Sequence, residues 1–255
     1  MSLISLKHAS KIFRHRRPRV VLRDRLRQWR SKPSTDGFYA LRDISFDVQA
    51  KESVALVGSN GAGKSTLLSL VCGLAQPDEG TVEVHGSIAP LLELGSGFHS
   101  DLTGHENLYL NAAMLGMTKA QVRERYDSIV TFSEIGEFIN EPLRTYSMGM
   151  SLRLAFAVAV HCDPALVIID EVLAVGDSAF QRKCHDRIAG LRKEGKTLLC
   201  VSHSPGTVLQ FCDRAIWLHQ GRMVMDGAAA PVCEEYQKFM ADPTQRPPFP
   251  PAAET

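Results

Sequence analysis

Long hydrophobic runs are missing from this chain. No stretch approaches the roughly 18 apolar residues that a membrane-spanning helix needs, so no segment is expected to cross a bilayer by itself, while docking on a membrane protein stays open. The opening MSLISLKHASKIF alternates as a strand does and holds no continuous apolar block, so no signal peptide is expected. Metal-ligand spacing is missing too. The six cysteines (Cys72, Cys162, Cys184, Cys200, Cys212 and Cys233) form no CxxC pair, and most sit in apolar runs, which suits reduced core thiols of a cytosolic compartment. Charge of one sign is scarce: 29 Lys and Arg stand against 28 Asp and Glu, a formal +1. That excludes a general preference for polyanions and leaves any basic patch local. No internal repeat is visible. What remains is ordinary globular material, 44% hydrophobic and 22% charged over 255 residues, enough for one large domain or one domain with an inserted lobe.

Short apolar runs alternate with helical stretches. Residues 2–8, LRDISFDV (41–48), SVALVG (53–58) and TVEVHG (81–86) read as strands, and SVALVG is apolar enough to be buried on both faces. Residues 103–140 read as mostly helical and amphipathic. ALVIID (165–170) and TLLCVS (197–202) are strands of the parallel type, with a helical stretch at 178–194 between them. RAIWLHQGRMVMDG (214–227) reads as a hairpin turning at Gln220-Gly221, and residues 232–240 as a last helix. The tail DPTQRPPFPPAAET is Pro-rich and expected to be disordered. Strands interleaved with helices predict an α/β fold with a mostly parallel core sheet.

Two motifs carry chemistry. GSNGAGKST (Gly58, Ser59, Asn60, Gly61, Ala62, Gly63, Lys64, Ser65, Thr66) fits the phosphate-loop pattern between a strand and a helix. Its glycines let the backbone wrap a polyphosphate with N–H groups pointing inward. Lys64 supplies charge to the outer phosphates, Ser65 offers a hydroxyl to Mg2+, and Thr66 is expected to cap the helix nearby. Further on, ALVIIDE delivers Asp170 and Glu171 to a strand's carboxyl end, where α/β sheets bind ligands. Asp170 suits the Mg2+ shell through water, and Glu171 suits polarisation of an attacking water. His203 closes TLLCVSHS at another strand end; it is either structural or within reach of the outermost phosphate. A polar turn, Tyr146-Ser147-Met148-Gly149-Met150, leads into the Ala-rich run before the acidic strand.

Together these motifs resemble the nucleotide-binding subunits of ABC transporters, P-loop cassettes with an antiparallel β part and a helical subdomain. YSMGMS stands at the place of the family's signature loop, about twenty residues before the acidic strand. The resemblance implies that two cassettes pair head to tail, so that Ser147, Met148, Gly149 and Met150 of one chain close on ATP held by the other. Ser147 and Gly149 offer a hydroxyl and N–H groups at the positive end of the following helix, although Ser147 also serves as a plain helix cap. Gly176-Asp177 in AVGD resembles the D-loop, His203 the switch histidine, and Phe13 in SKIF the aromatic that stacks on adenine. The likeness covers residues 1–240, with about 95–160 as the helical subdomain, 14–36 as a basic insertion and 241–255 as the tail.

LLELGSGFHSDLTGHENLYLNA, YSMGMSLRLAFAVA and DEVLAVGDSAFQRKC are similar to polysaccharide exporters of the O-antigen, teichoic acid and capsule types. That implies an ATPase with ATP and Mg2+ as cofactors, peripheral on the cytoplasmic face of the inner membrane. It works as a homodimer with an integral membrane permease and a lipid-linked polysaccharide, most readily O-antigen. Three departures stand out. Met148 and Met150 replace the Gly and Gln of the common signature. No glutamine occupies the Q-loop position, where Glu93 in LLELG lies nearest. The carbohydrate-recognition domain that some O-antigen exporters carry after the cassette is not expected here, where a short Pro-rich tail follows. Soluble ATPases acting on DNA need long heptad arms or clamp domains, which are missing, so no nucleic-acid partner is expected. GTPases need an NKxD sequence, which is absent. In the insertion RHRRPRVVLRDRLRQWRSK, Leu22, Leu26 and Trp29 form a narrow apolar stripe beside Arg23, Arg27 and Arg30. This suits either a membrane interface or packing on the cassette itself.

Overall fold

The computed structural model describes residues 2–14, 37–91, 94–169, 176–202, 204–242 and 247. Glu93, Asp170, Glu171 and His203 lie outside the described residues, as do residues 15–36 of the basic insertion and nearly all of the Pro-rich tail.

Two sheets form the body. β1 (Ser2–Arg14), β2 (Gly37–Gln49) and β4 (Glu79–Val84) make an antiparallel sheet in the order β2-β1-β4. The larger sheet contains β3 (Ser53–Val57), β5 (Ile88–Pro90), β6 (Leu166–Ile169), β7 (Thr197–Val201), β8 (Arg214–His219) and β9 (Arg222–Ala228), in the order β5-β6-β7-β3-β8-β9. Neighbours are parallel except β8 and β9, which form the hairpin read from the sequence. Its turn residues Gln220 and Gly221 both have positive φ (47° and 75°), the requirement of a tight two-residue hairpin.

The parallel strands read as unbroken apolar runs because both of their faces are covered. In β3, Val54 and Leu56 enter a core shared with the antiparallel sheet and α1 (Lys64–Val71), whereas Ala55 and Val57 enter the core on the other side. α5 (Ser178–Lys193), α6 (Pro205–Phe211) and α7 (Ala229–Ala241) cover that second side, with Phe180, Val208, Trp217 and Tyr236 buried together. A third cluster joins α2 (Gly104–Met114), α3 (Lys119–Ser133) and α4 (Met148–His161) through Leu108, Val122, Ile129 and Leu154.

The expected helical stretch at 103–140 is two helices broken at Gly116 and followed by 3-10 turns at Gly136–Asn140 and Leu143–Thr145. Thr103 with Glu106, and Thr118 with Gln121, form a capping box at the start of each helix. α4 belongs to two cores: Phe156, Ala159 and Val160 face the body, and Leu154, Ala157 and Val158 face the helical cluster. Strand β1 runs on to residue 14 and the last helix starts at Ala229, both longer than the sequence pattern suggests. β5 and α6 are additions that the pattern did not reveal.

Candidate nucleotide site

β3 delivers the chain into the loop at Gly58, and α1 begins at Lys64. The Lys64 ammonium folds back into the loop and donates to the carbonyls of Gly58 (2.5 Å) and Ser59 (3.0 Å). The helix N-cap is Gly63, with φ 106° and no side chain capping the first turn. Thr66 therefore does not cap the helix: it lies inside the first turn, whereas a cap must come from the residue ahead of it. The first-turn N–H groups are left for an anion at the positive helix end. Ser65 is exposed on that turn, where its hydroxyl suits a cation bridging phosphates.

The rest of the fold holds this loop tightly. Lys11 pairs with Leu41 and Ile12 with Tyr39, so Ala40 is the extra residue of a bulge. A Cβ on Gly63 would come 2.7 Å from the Ala40 carbonyl oxygen, and one on Gly221 would come 2.6 Å from it. The Arg42 N–H donates to the Gly221 carbonyl at 2.7 Å, and the Gly221 N–H to the Ala62 carbonyl at 3.0 Å. One residue from Tyr39, Phe38 pairs directly across from Phe13, and both rings are more than half exposed (60% and 53%).

β6 and β7 run parallel to β3 and end at Ile169 and Val201, on the edge where β3 enters the loop. Asp170 and Glu171 follow β6 in sequence, and His203 follows β7. Buried Ser202 closes β7: its N–H donates to the Leu56 carbonyl (3.3 Å) and its Oγ accepts from the Ser204 N–H (3.0 Å).

Ser147 is the N-cap of α4, its Oγ accepting from the Met150 N–H at 3.2 Å. Met148 is 77% exposed on the same turn. Behind the turn, the Tyr146 hydroxyl donates to the Phe138 carbonyl at 2.5 Å, and burial pushes its pKa up to about 12. Asp177 caps α5, its Oδ1 accepting from the Ala179 and Phe180 N–H groups at 3.0 and 2.9 Å. Those bonds, with Arg153 beside it, hold the carboxyl below its ordinary range.

Sequence reasoning missed three features. Phe38 escaped because its pairing with Phe13 spans the basic insertion. Arg153, which bonds Asp177, carried a signal: a lone cation heading the apolar run LAFAVAV. The third is a groove of about 540 Å3 between α1, β5, α2 and α4, lined by Ser69, Cys72, Leu74, Pro90, Met114 and Ala155. Leu74 and Met114 are largely exposed at it.

A Gly-rich loop between a central parallel strand and an uncapped helix start, with a lysine laid into it, defines a nucleoside-triphosphate-binding α/β protein. The profile of the family described as "ABC transporter" matches residues 41–174. The chain belongs to the ABC transporter family and is an ATPase cassette of it. It is 50% identical over 204 residues to "O-antigen export system ATP-binding protein RfbB" of Klebsiella pneumoniae, covering 80% of this chain and 83% of that one. It is 40% identical over 238 residues to "Teichoic acids export ATP-binding protein TagH" of Bacillus anthracis, covering 93% of this chain and 43% of that one. Among solved structures, a dimeric ATP-binding cassette in a post-hydrolysis state, bound to ADP and Pi, shares the fold at TM-score 0.69 and 22% identity, covering 89% of this chain and 98% of that one.

Proposed function

We propose that the chain is the ATP-hydrolysing subunit of an exporter that moves a lipid-linked polysaccharide across the cytoplasmic membrane. O-antigen is the leading substrate, with capsule or teichoic acid polymer as the alternative. The observation that carries this reading is the half-identity, over most of both chains, with the O-antigen export protein of Klebsiella.

In this reading the α1 N–H groups and Lys64 hold the phosphates, and Phe13 with Phe38 flanks the adenine. Ser65 and Asp170 would hold Mg2+, which would offset charge on the outer phosphates. Glu171 takes the proton of the attacking water, and His203 contacts the outermost phosphate. Two copies pair head to tail, and the turn at Ser147–Met150 of each covers the ATP of the other. Two facts support this pairing: Ser147 and Met148 of the turn are exposed, and the turn heads a helix whose positive end suits an anion. The helical cluster, residues about 95–160, is the lobe that carries this turn. The groove beside it suits an apolar segment of a membrane permease, because it touches both the phosphate-loop helix and the helical lobe. The cassette is then peripheral on the cytoplasmic face. Among the described residues no helix is long and apolar enough to cross a membrane.

Deletion of the gene tests the reading. Surface polysaccharide should fall while lipid-linked polymer accumulates in the cytoplasm, and the wild-type gene, unlike Lys64→Ala, should restore export. Normal surface polysaccharide in the deletion strain would overturn it.

A further inference from the structure

Residues 147–153 contain no fully buried position: Met150 and Leu152 pack partly against the helical cluster and the body, and full burial of α4 begins at Leu154. From Ser147 to Arg153 the helix rises about 9 Å at roughly 1.5 Å per residue. Arg153 is the side chain at the point of exit, and its contacts are unusually divided. One guanidinium nitrogen bonds Asp177 Oδ2 at 2.8 Å, at the start of α5, and the other bonds Glu134 Oε2 at 3.1 Å, at the end of α3. Its face lies over the Phe180 ring, 4.7 Å from the centroid. The second Glu134 oxygen is fixed by Lys183 at 2.7 Å, and Lys183 also donates to the Phe132 carbonyl. Arg153 is only 17% exposed, while Glu134 and Asp177 are 47% and 64% exposed, so the guanidinium is held in place by its packing as much as by these pairs.

We infer that Arg153 is a positioning residue for hydrolysis: by bracing α4 against α3 and α5 where it leaves the core, it sets the direction in which the Ser147–Met150 turn is presented to the partner's ATP. A planar fork fixes the angle between the two carboxylates it holds, whereas a lysine ammonium is a rotatable point charge on a flexible stem. A small tilt at the brace carries over to the turn, and misplacement of about 1 Å at a reacting centre costs on the order of a hundredfold. The inference rests on the head-to-tail pairing proposed above, and it requires Arg153 to act on the partner's ATP and not on its own.

Mixed dimers of differently tagged chains separate the two. One chain carries Lys64→Ala, leaving a single ATP site, on the other chain. Arg153→Gln placed on the Lys64→Ala chain should lower turnover about tenfold to a hundredfold, because that chain's signature turn serves the remaining site. Arg153→Gln placed on the other chain should leave turnover within twofold of the control. Equal losses in both arrangements, or a loss only in the second, would overturn the inference. A second measurement uses Glu171→Gln chains. There Arg153→Gln should raise the ATP concentration needed for dimerisation at least tenfold while monomer ATP affinity stays unchanged, and an unchanged dimerisation midpoint would overturn the inference. Failure of Glu171→Gln chains to dimerise with ATP even with Arg153 intact would instead sink the head-to-tail pairing. Should Arg153→Gln not fold, Glu134→Gln carries the same comparisons, since it removes the charge facing Arg153 at the end of α3 and leaves Asp177 untouched.

Discussion

At the scale of single residues, the phosphate loop was legible because its chemistry forces residue types at fixed spacing: Gly63 must be glycine against the Ala40 carbonyl, and Lys64 must follow it. Its role makes Glu171→Gln informative. This variant should bind ATP normally, hydrolyse it roughly 10²–10⁴-fold more slowly in a phosphate-release assay, and persist as an ATP-held dimer. Near-normal turnover would remove Glu171 as the base. His161 was not legible as a special residue, because its surroundings come from three helices. It ends α4 and shares a bond with the Ala157 carbonyl at 2.6 Å. Arg125 and Arg187 donate to the His161 and Val160 carbonyls at 2.5 and 3.1 Å, capping the same helix end. Burial first, and then the nearby Arg187, Arg125 and Lys183, push its pKa down. Because the folded value lies below the unfolded value of about 6.5, the unfolded chain binds the extra proton. Stability from this residue is therefore present above about pH 6.5 and is lost as pH falls through the depressed folded value. Melting temperatures between pH 8 and pH 5 should drop more for the wild type than for His161→Gln; parallel curves would refute the assignment.

Elements were legible where one rule governs them. β3, β6 and β7 are short apolar runs because both faces are covered, and the β8–β9 hairpin announces itself at Gln220-Gly221. β5 was hidden because three residues, Ile88–Pro90, leave no period to read, and α6 because its seven residues make barely two turns. The signature helix was legible in composition but not in its double burial, which depends on two distant cores. Its exposed first turn makes Ser147→Arg a test of the element. The large cation on the turn should leave monomer folding and monomer ATP binding intact and abolish ATP-driven dimerisation, read by size-exclusion chromatography in the Glu171→Gln background. Loss of monomer ATP binding would mean that the turn serves its own site.

For the whole molecule, the α/β plan with a mostly parallel core sheet followed from the alternation of strands and helices and the antiparallel part only from the family resemblance, whereas the groove between α1, β5 and α2 arises from tertiary packing alone. The basic insertion belongs to this scale, because the membrane role expected of it would concern the whole transporter. Replacing Arg23, Arg27 and Arg30 together with Gln should spare the ATPase activity of the isolated subunit and lower polysaccharide at the cell surface. Each arginine near an anionic leaflet contributes about 1 kcal/mol. Unchanged surface polysaccharide would remove the insertion from transport, and loss of soluble protein would favour packing on the cassette. The meeting of Ala40, Gly63 and Gly221 has a bearing on how the chain is born. The loop leaves the ribosome early, but the hairpin that abuts it follows on the order of ten seconds later at the usual pace of synthesis. Until then the nascent chain carries an open cradle with one wall missing. The phosphate loop is thus laid down long before its packing partner, and its final close fit waits on a segment far downstream in the chain.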